Sequence, residues 1–105
     1  MGNGLERVKQ LVKTKPVFVF MKGSPDFPQC GFSARAIEIL RAAGVDDGAI
    51  GSVNVLEDQE LRAAVKELTK VPTIPQIFVK GEFVGTGDII AEMFESGELQ
   101  EIVKN

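Results

Sequence analysis

Val17-Phe18-Val19-Phe20-Met21, running straight into Lys22-Gly23-Ser24-Pro25-Asp26-Phe27-Pro28-Gln29-Cys30-Gly31-Phe32-Ser33, is the stretch on which the fold of this chain turns. Consecutive β-branched and aromatic residues with no polar break are the mark of a strand buried on both faces. The Gly- and Pro-rich segment that follows is a loop. From Ala34 to Ala43 the spacing predicts a helix, with Phe32, Ala36, Ile39, Leu40 and Ala43 recurring every three or four residues. Gly44 can take the left-handed conformation that closes it. Cys30 therefore stands between a buried strand and a helix N-terminus.

That position carries chemistry. Unpaired N–H groups and the positive end of the helix dipole stabilise an anion at a helix N-terminus, and a thiolate is one. Lys22, at the end of the strand, adds a second positive influence if the loop folds back, and both effects lower a thiol pKa. A lone cysteine can equally be a small buried apolar side chain. The strand–loop–helix setting favours the reactive reading.

Composition sets bounds. A chain of 105 residues fits one domain spanning 1–105, with residues 1–4 expected to be disordered or a remnant of cloning. A net charge of −3 and a pI near 4.9, without a basic stripe, argue against a nucleic-acid partner. One cysteine builds no intramolecular disulfide, so the expected setting is a reducing intracellular compartment. No apolar run is long enough to span a bilayer and no signal segment opens the chain, so no membrane association is expected. A transit peptide removed ahead of these residues is compatible with the sequence.

In chain order, Asn3 with Glu6 has the form of a capping box, and Leu5, Val8, Leu11 and Val12 give a first helix one apolar stripe. Ser52-Val53-Asn54-Val55 alternates polar and apolar residues, as a strand near a sheet edge does. Asp58 is the expected N-cap of a helix whose stripe is Leu61, Ala64, Val65 and Leu68. Arg62 and Lys66 share one face of that helix; spacing alone favours a solvated basic face over a ligand site. Residues 76–79 and 82–85 form a hairpin turning at Lys80-Gly81. Asp88 is expected to cap a helix over 89–95, and Leu99, Ile102 and Val103 pattern a last short one. This order predicts an α/β layer fold with a mixed four-stranded sheet flanked by helices. A right-handed crossover would put residues 17–21 inside the sheet, with Cys30 beyond their C-terminal end.

Lys22-Gly23, the insertion up to Pro28-Gln29, and Cys30-Gly31-Phe32-Ser33 resemble the active-site loop of monothiol glutaredoxins, and the likeness runs from about Pro16 to the last helix. The resemblance implies a thioredoxin fold and a site for glutathione beside Cys30 and Phe32. Thr73-Ile74-Pro75 is similar to the Thr-x-Pro element of that fold, whose proline is cis and whose preceding backbone pairs with a bound thiol peptide. Read without the resemblance, Pro75 is more simply a trans proline in a turn. Gly85-Thr86-Gly87-Asp88 resembles a loop that binds the γ-glutamyl end, with Gly87 and Asp88 as contacts, although capping alone also explains Asp88. Lys22, Arg62 and Lys66 would receive the glycine carboxylate. Val71 stands where many relatives have Trp, and Thr86-Gly87 replaces Gly followed by Ser or Cys.

Two functions compete. The resemblance implies a carrier that holds a [2Fe–2S] cluster with glutathione, as a cluster-bridged homodimer that is monomeric when apo, and hands the cluster to acceptor apoproteins. Cys30 would be the metal ligand. The alternative is a glutathione-dependent thiol–disulfide oxidoreductase with Cys30 as sole nucleophile. Ser33 stands where a dithiol enzyme has its second cysteine, which removes the internal disulfide step. The carrier is the preferred reading, in the mitochondrial matrix if the source is eukaryotic and otherwise in the cytoplasm.

Overall fold

The strand Val17–Met21 (β1) is buried along its whole length because strands flank both of its edges and helices cover both of its faces. The computed structural model, which describes residues 3–104, orders the sheet β2-β1-β3-β4. Strand β2 (Ile50–Asn54) runs parallel to β1, and β3 (Gln76–Val79) runs antiparallel to it. The second edge is β4 (Glu82–Thr86), joined to β3 by a tight turn in which Lys80 and Gly81 both have positive φ, 53° and 84°. Primed turns of this kind match the twist of paired strands. The crossover from β1 to β2 carries helix α2 (Gly31–Ala42). This is the thioredoxin fold, with the mixed sheet the sequence predicts.

Side chains alternate across β1 and so feed two cores. Val17, Val19 and Met21 pack with Ala36, Ile37 and Leu40 of α2, Ile90 of α4 (Gly87–Ser96) and Leu99 of α5 (Glu98–Ile102). Phe18 and Phe20 point the other way, toward Val8 of α1 (Gly4–Leu11) and Leu61 and Val65 of α3 (Gln59–Thr69). Phe18, Phe20, Phe78 and Phe83 form a continuous aromatic row with ring centroids 5.2, 5.6 and 5.4 Å apart. Arg7 ties α1 to α3 through Asp58 and Glu60, each at 2.8 Å. No helix among the described residues is long and apolar enough to cross a membrane.

Several expectations shift. Helix α2 begins at Gly31, directly after Cys30, and its buried face is Ser33, Ala36, Ile37 and Leu40. Phe32 is 71% exposed, one helical step of about 100° from that face, and Ile39 packs only partly. Leu68, at the end of its stripe, is only partly covered, at 37% exposure. Asp88 is not the N-cap of α4: strand β4 continues through Thr86, which pairs with Gln76, and the helix starts at once at Gly87. Asp88 lies in the first turn instead, where the helix dipole still favours its charge. Asn3 accepts a hydrogen bond from Glu6 N–H at 2.9 Å and caps a helix that includes Gly4. The expectation for Met1 and Gly2 lies outside the described residues.

Candidate functional site

Cys30 is the N-cap of α2, with extended backbone and its carbonyl accepting from Ala34 N–H at 2.9 Å. Its thiol is held below the ordinary cysteine value. The main cause is the Ser33 backbone N–H, aided by the Phe32 N–H, the Ser33 hydroxyl and the charge of Lys22, against partial burial that pushes the other way. Helix α2 thus stabilises the thiolate through the donors that its own first turn leaves unpaired.

The loop between β1 and α2 is pinned at its base. Lys22 N–H donates to Ser33 Oγ at 3.1 Å, Lys22 C=O accepts from Gln29 N–H at 2.9 Å, and Gly23 N–H donates to Asn54 Oδ1 at 3.0 Å. Gly23 has φ +90°, and a Cβ there would lie 2.4 Å from Phe27 O and 2.7 Å from Gln29 N. Only glycine fits this position without moving backbone. The excursion beyond it is closed by paired hydrogen bonds between Ser24 and Phe27 and carries Phe27, 77% exposed, at its tip.

Beside this loop lies a cleft of about 440 Å³. Four parts of the fold line it: Lys22 and Phe32, Arg62 and Lys66 of α3, the segment Pro72 to Pro75, and Thr86 to Asp88. Every candidate site residue read from the sequence is on this wall except Cys30, which stands two residues before the wall residue Phe32. Among the described residues, Lys22, Arg62 and Lys66 have no carboxylate partner, and Asp88 is the sole carboxylate on the cleft wall. Arg62 and Lys66, which spacing alone leaves as a solvated face, point into a shared cavity.

The Ile74–Pro75 peptide is cis. Behind it sits Gln76, fully buried. Its amide donates to Val71 O at 2.8 Å and Thr73 O at 3.1 Å, and its oxygen accepts from Thr69 Oγ1 at 2.9 Å. Sequence reasoning missed Pro72 and Thr86 as wall residues, and Asn54, Ser33 and Gln76 as supports. The available signal was Gln76 itself, the one polar side chain in an otherwise apolar strand.

A thioredoxin fold that sets one activated thiol at a helix N-terminus, beside a cis-proline segment and a charged cleft, defines a single-thiol protein of that fold class. The model of the Glutaredoxin family matches residues 17–84. The monothiol glutaredoxin-5, mitochondrial, of Lachancea kluyveri is 46% identical over 100 residues, covering 95% of this chain and 70% of its own. The monothiol glutaredoxin-S15, mitochondrial, of Arabidopsis thaliana is 50% identical over 98 residues, or 93% of this chain and 56% of its own. The solution structure of a monomeric truncated mutant of Trypanosoma brucei 1-C-Grx1 superposes with a TM-score of 0.80 at 38% identity, covering 98% of this chain and 90% of that one. The chain belongs to the glutaredoxin family, in its monothiol branch.

Proposed function

We propose that the cleft binds glutathione, and that two chains, each with its glutathione, hold a [2Fe–2S] cluster between them for delivery to acceptor apoproteins. The observation that carries the reading is the charge layout of the cleft beside the Cys30 thiol: three cations without carboxylate partners and one carboxylate, held by separate elements. Glutathione is a tripeptide with a carboxylate at its glycine end and an ammonium with a carboxylate at its γ-glutamyl end. Lys22, Arg62 and Lys66 suit the first as charge-assisted donors. Asp88 suits the ammonium, and the N–H groups opening α4 at Gly87 suit the second carboxylate. The backbone around Thr73 to Pro75 would take the cysteinyl residue, with Phe32 closing the cavity beside the thiol.

Ligand counting supports the pairing. A [2Fe–2S] cluster takes four ligands, normally thiolates with histidine as a substitute. This chain has one cysteine and no histidine, and no cluster of three metal-ligating side chains occurs among the described residues. Cys30, whose thiolate is stabilised by the helix N-terminus, fits one ligand position; the sulfur of bound glutathione fits the next, and a second chain repeats both. The names of the yeast and plant relatives place those proteins in mitochondria, which fits a reducing matrix for this chain if it is eukaryotic.

The lowered thiol pKa also favours a second activity, exchange with glutathione mixed disulfides. The Cys30 thiolate would attack the glutathione sulfur of R–S–SG, forming a Cys30–glutathione disulfide and releasing R–S⁻. A second glutathione thiolate would then restore Cys30 and leave as oxidised glutathione. With Ser33 in the second position, each turnover needs that external thiol.

Calorimetry tests the site. Lys22→Ala and Asp88→Ala each remove a charged contact worth about 1.5–3 kcal/mol, so each should weaken glutathione roughly 10- to 150-fold. Wild-type affinity in both variants, with intact circular dichroism, would mean that the ligand binds elsewhere.

A further inference from the structure

The side chain of Gln76 does not touch the cleft, yet it fixes one of the cleft walls. It is a fully buried amide whose side-chain hydrogen-bond partners all lie on one segment and the helix before it: both amide donations go to carbonyls of the wall loop, Val71 and Thr73, and its oxygen is held by Thr69 at the end of α3. Thr69 Oγ1 in turn accepts from Val71 N–H at 3.2 Å. The loop is thus drawn inward at two alternate carbonyls. Between the second of these and the cis proline lies Ile74, a wall residue whose backbone N–H and C=O have no hydrogen-bond partner among the described residues. Backbone groups of a half-buried segment are rarely left unpaired unless water or a ligand completes them. An N–H and a C=O on one extended residue offer a two-point edge for the backbone of an extended peptide, the smallest form of strand addition.

We propose that Gln76 is the positioning residue of this edge: by holding the Val71 and Thr73 carbonyls inward, it keeps the Ile74 backbone free and aligned for the amide backbone of a cysteinyl peptide. The inference rests on the glutathione reading of the cleft and adds to it the residue that sets the peptide-backbone contact. The amide is needed for its donors rather than its bulk. An apolar side chain of the same length would leave two carbonyls without partners, and they would turn toward water and carry the Ile74 backbone with them.

The test compares glutathione with an analogue methylated on the cysteinyl amide nitrogen, which cannot donate to the protein backbone. Wild-type protein should bind glutathione about tenfold more tightly than the analogue by calorimetry, the scale of one lost hydrogen bond. Gln76→Met should bind glutathione about tenfold more weakly and prefer it to the analogue less than threefold, while the Cys30 alkylation midpoint stays at the wild-type value. Equal weakening of both ligands, with the tenfold preference kept, would assign Gln76 a merely structural role and overturn the proposal; so would an unchanged variant. If Gln76→Met does not fold, Thr69→Val and Thr69→Ser decide: loss of the hydroxyl should reduce the preference and the serine should keep it, and identical behaviour of the two would overturn the proposal. Failure of the wild-type protein to bind glutathione would instead remove the reading of the cleft on which the inference stands.

Discussion

Cys30 owes its reactivity to neighbours within its own helix turn, and the residue-scale predictions follow from them. The Ser33 and Phe32 N–H groups, the Ser33 hydroxyl and Lys22 all favour the thiolate, so iodoacetamide alkylation against pH should show a midpoint below the ordinary ~8.5. A midpoint at or above that value would contradict the local electrostatics. Ser33→Ala removes one donor and keeps the backbone N–H groups, so its midpoint should rise from the wild-type value while remaining depressed. The same shift links to stability. A thiol whose folded pKa lies below its unfolded one contributes stability that is fully present above the unfolded pKa and is lost as pH falls through the folded one. The difference in unfolding free energy between wild type and Cys30→Ser should therefore grow with pH up to about 8.5 and level off above it. Urea melts across that window check the sign, and a difference that is flat or falls with pH would contradict it.

Elements bring these residues together, and the loop from Lys22 to Gln29 does the most exacting work. Gly23→Ala would meet backbone atoms on two sides at φ +90°, so it should cost more than about 1 kcal/mol in thermal unfolding and disturb the thiol that the loop delivers. Unaltered stability would show that the loop relaxes freely. Much of this architecture was legible in the sequence because local signals agreed with the fold: the apolar run of β1, the Lys80-Gly81 turn, and the Asp58 cap, whose carboxylate accepts from Leu61 N–H at 3.0 Å. The misreadings were tertiary. Asp88 looked like a cap because cap residues are recognised by type, but strand pairing of Thr86 with Gln76 fixed the helix start two residues earlier. Phe32 recurs in phase with Ala36 and Leu40 in the sequence but is exposed, because the buried face of the helix is centred on Ser33, Ala36, Ile37 and Leu40 and Phe32 falls to one side of it. Within the site, charged wall residues could be picked out by chemistry and resemblance, but Gln76 and Asn54 act through hydrogen bonds to backbone that no periodicity encodes.

At the scale of the whole molecule, the sheet separates two cores, and the C-terminal end of β1 opens onto the thiol and the cleft together. One exposed end therefore carries all of the proposed chemistry, with Phe27 and Phe32 projecting near the only cysteine. A single chain brings one thiolate to that end, so a cluster of four ligands requires a second chain and two external thiols. Association is then conditional on the ligand, as mass action demands of an assembly whose bridging group comes from outside. The direct measurement is the mass of the protein by size-exclusion light scattering after anaerobic reconstitution with iron, sulfide and glutathione, with iron and acid-released glutathione determined on the same peak. The account predicts a coloured dimer with about one iron and one glutathione per chain, reverting to monomer when the cluster is removed. A coloured monomer, or a cluster that persists without glutathione or in Cys30→Ser, would contradict it.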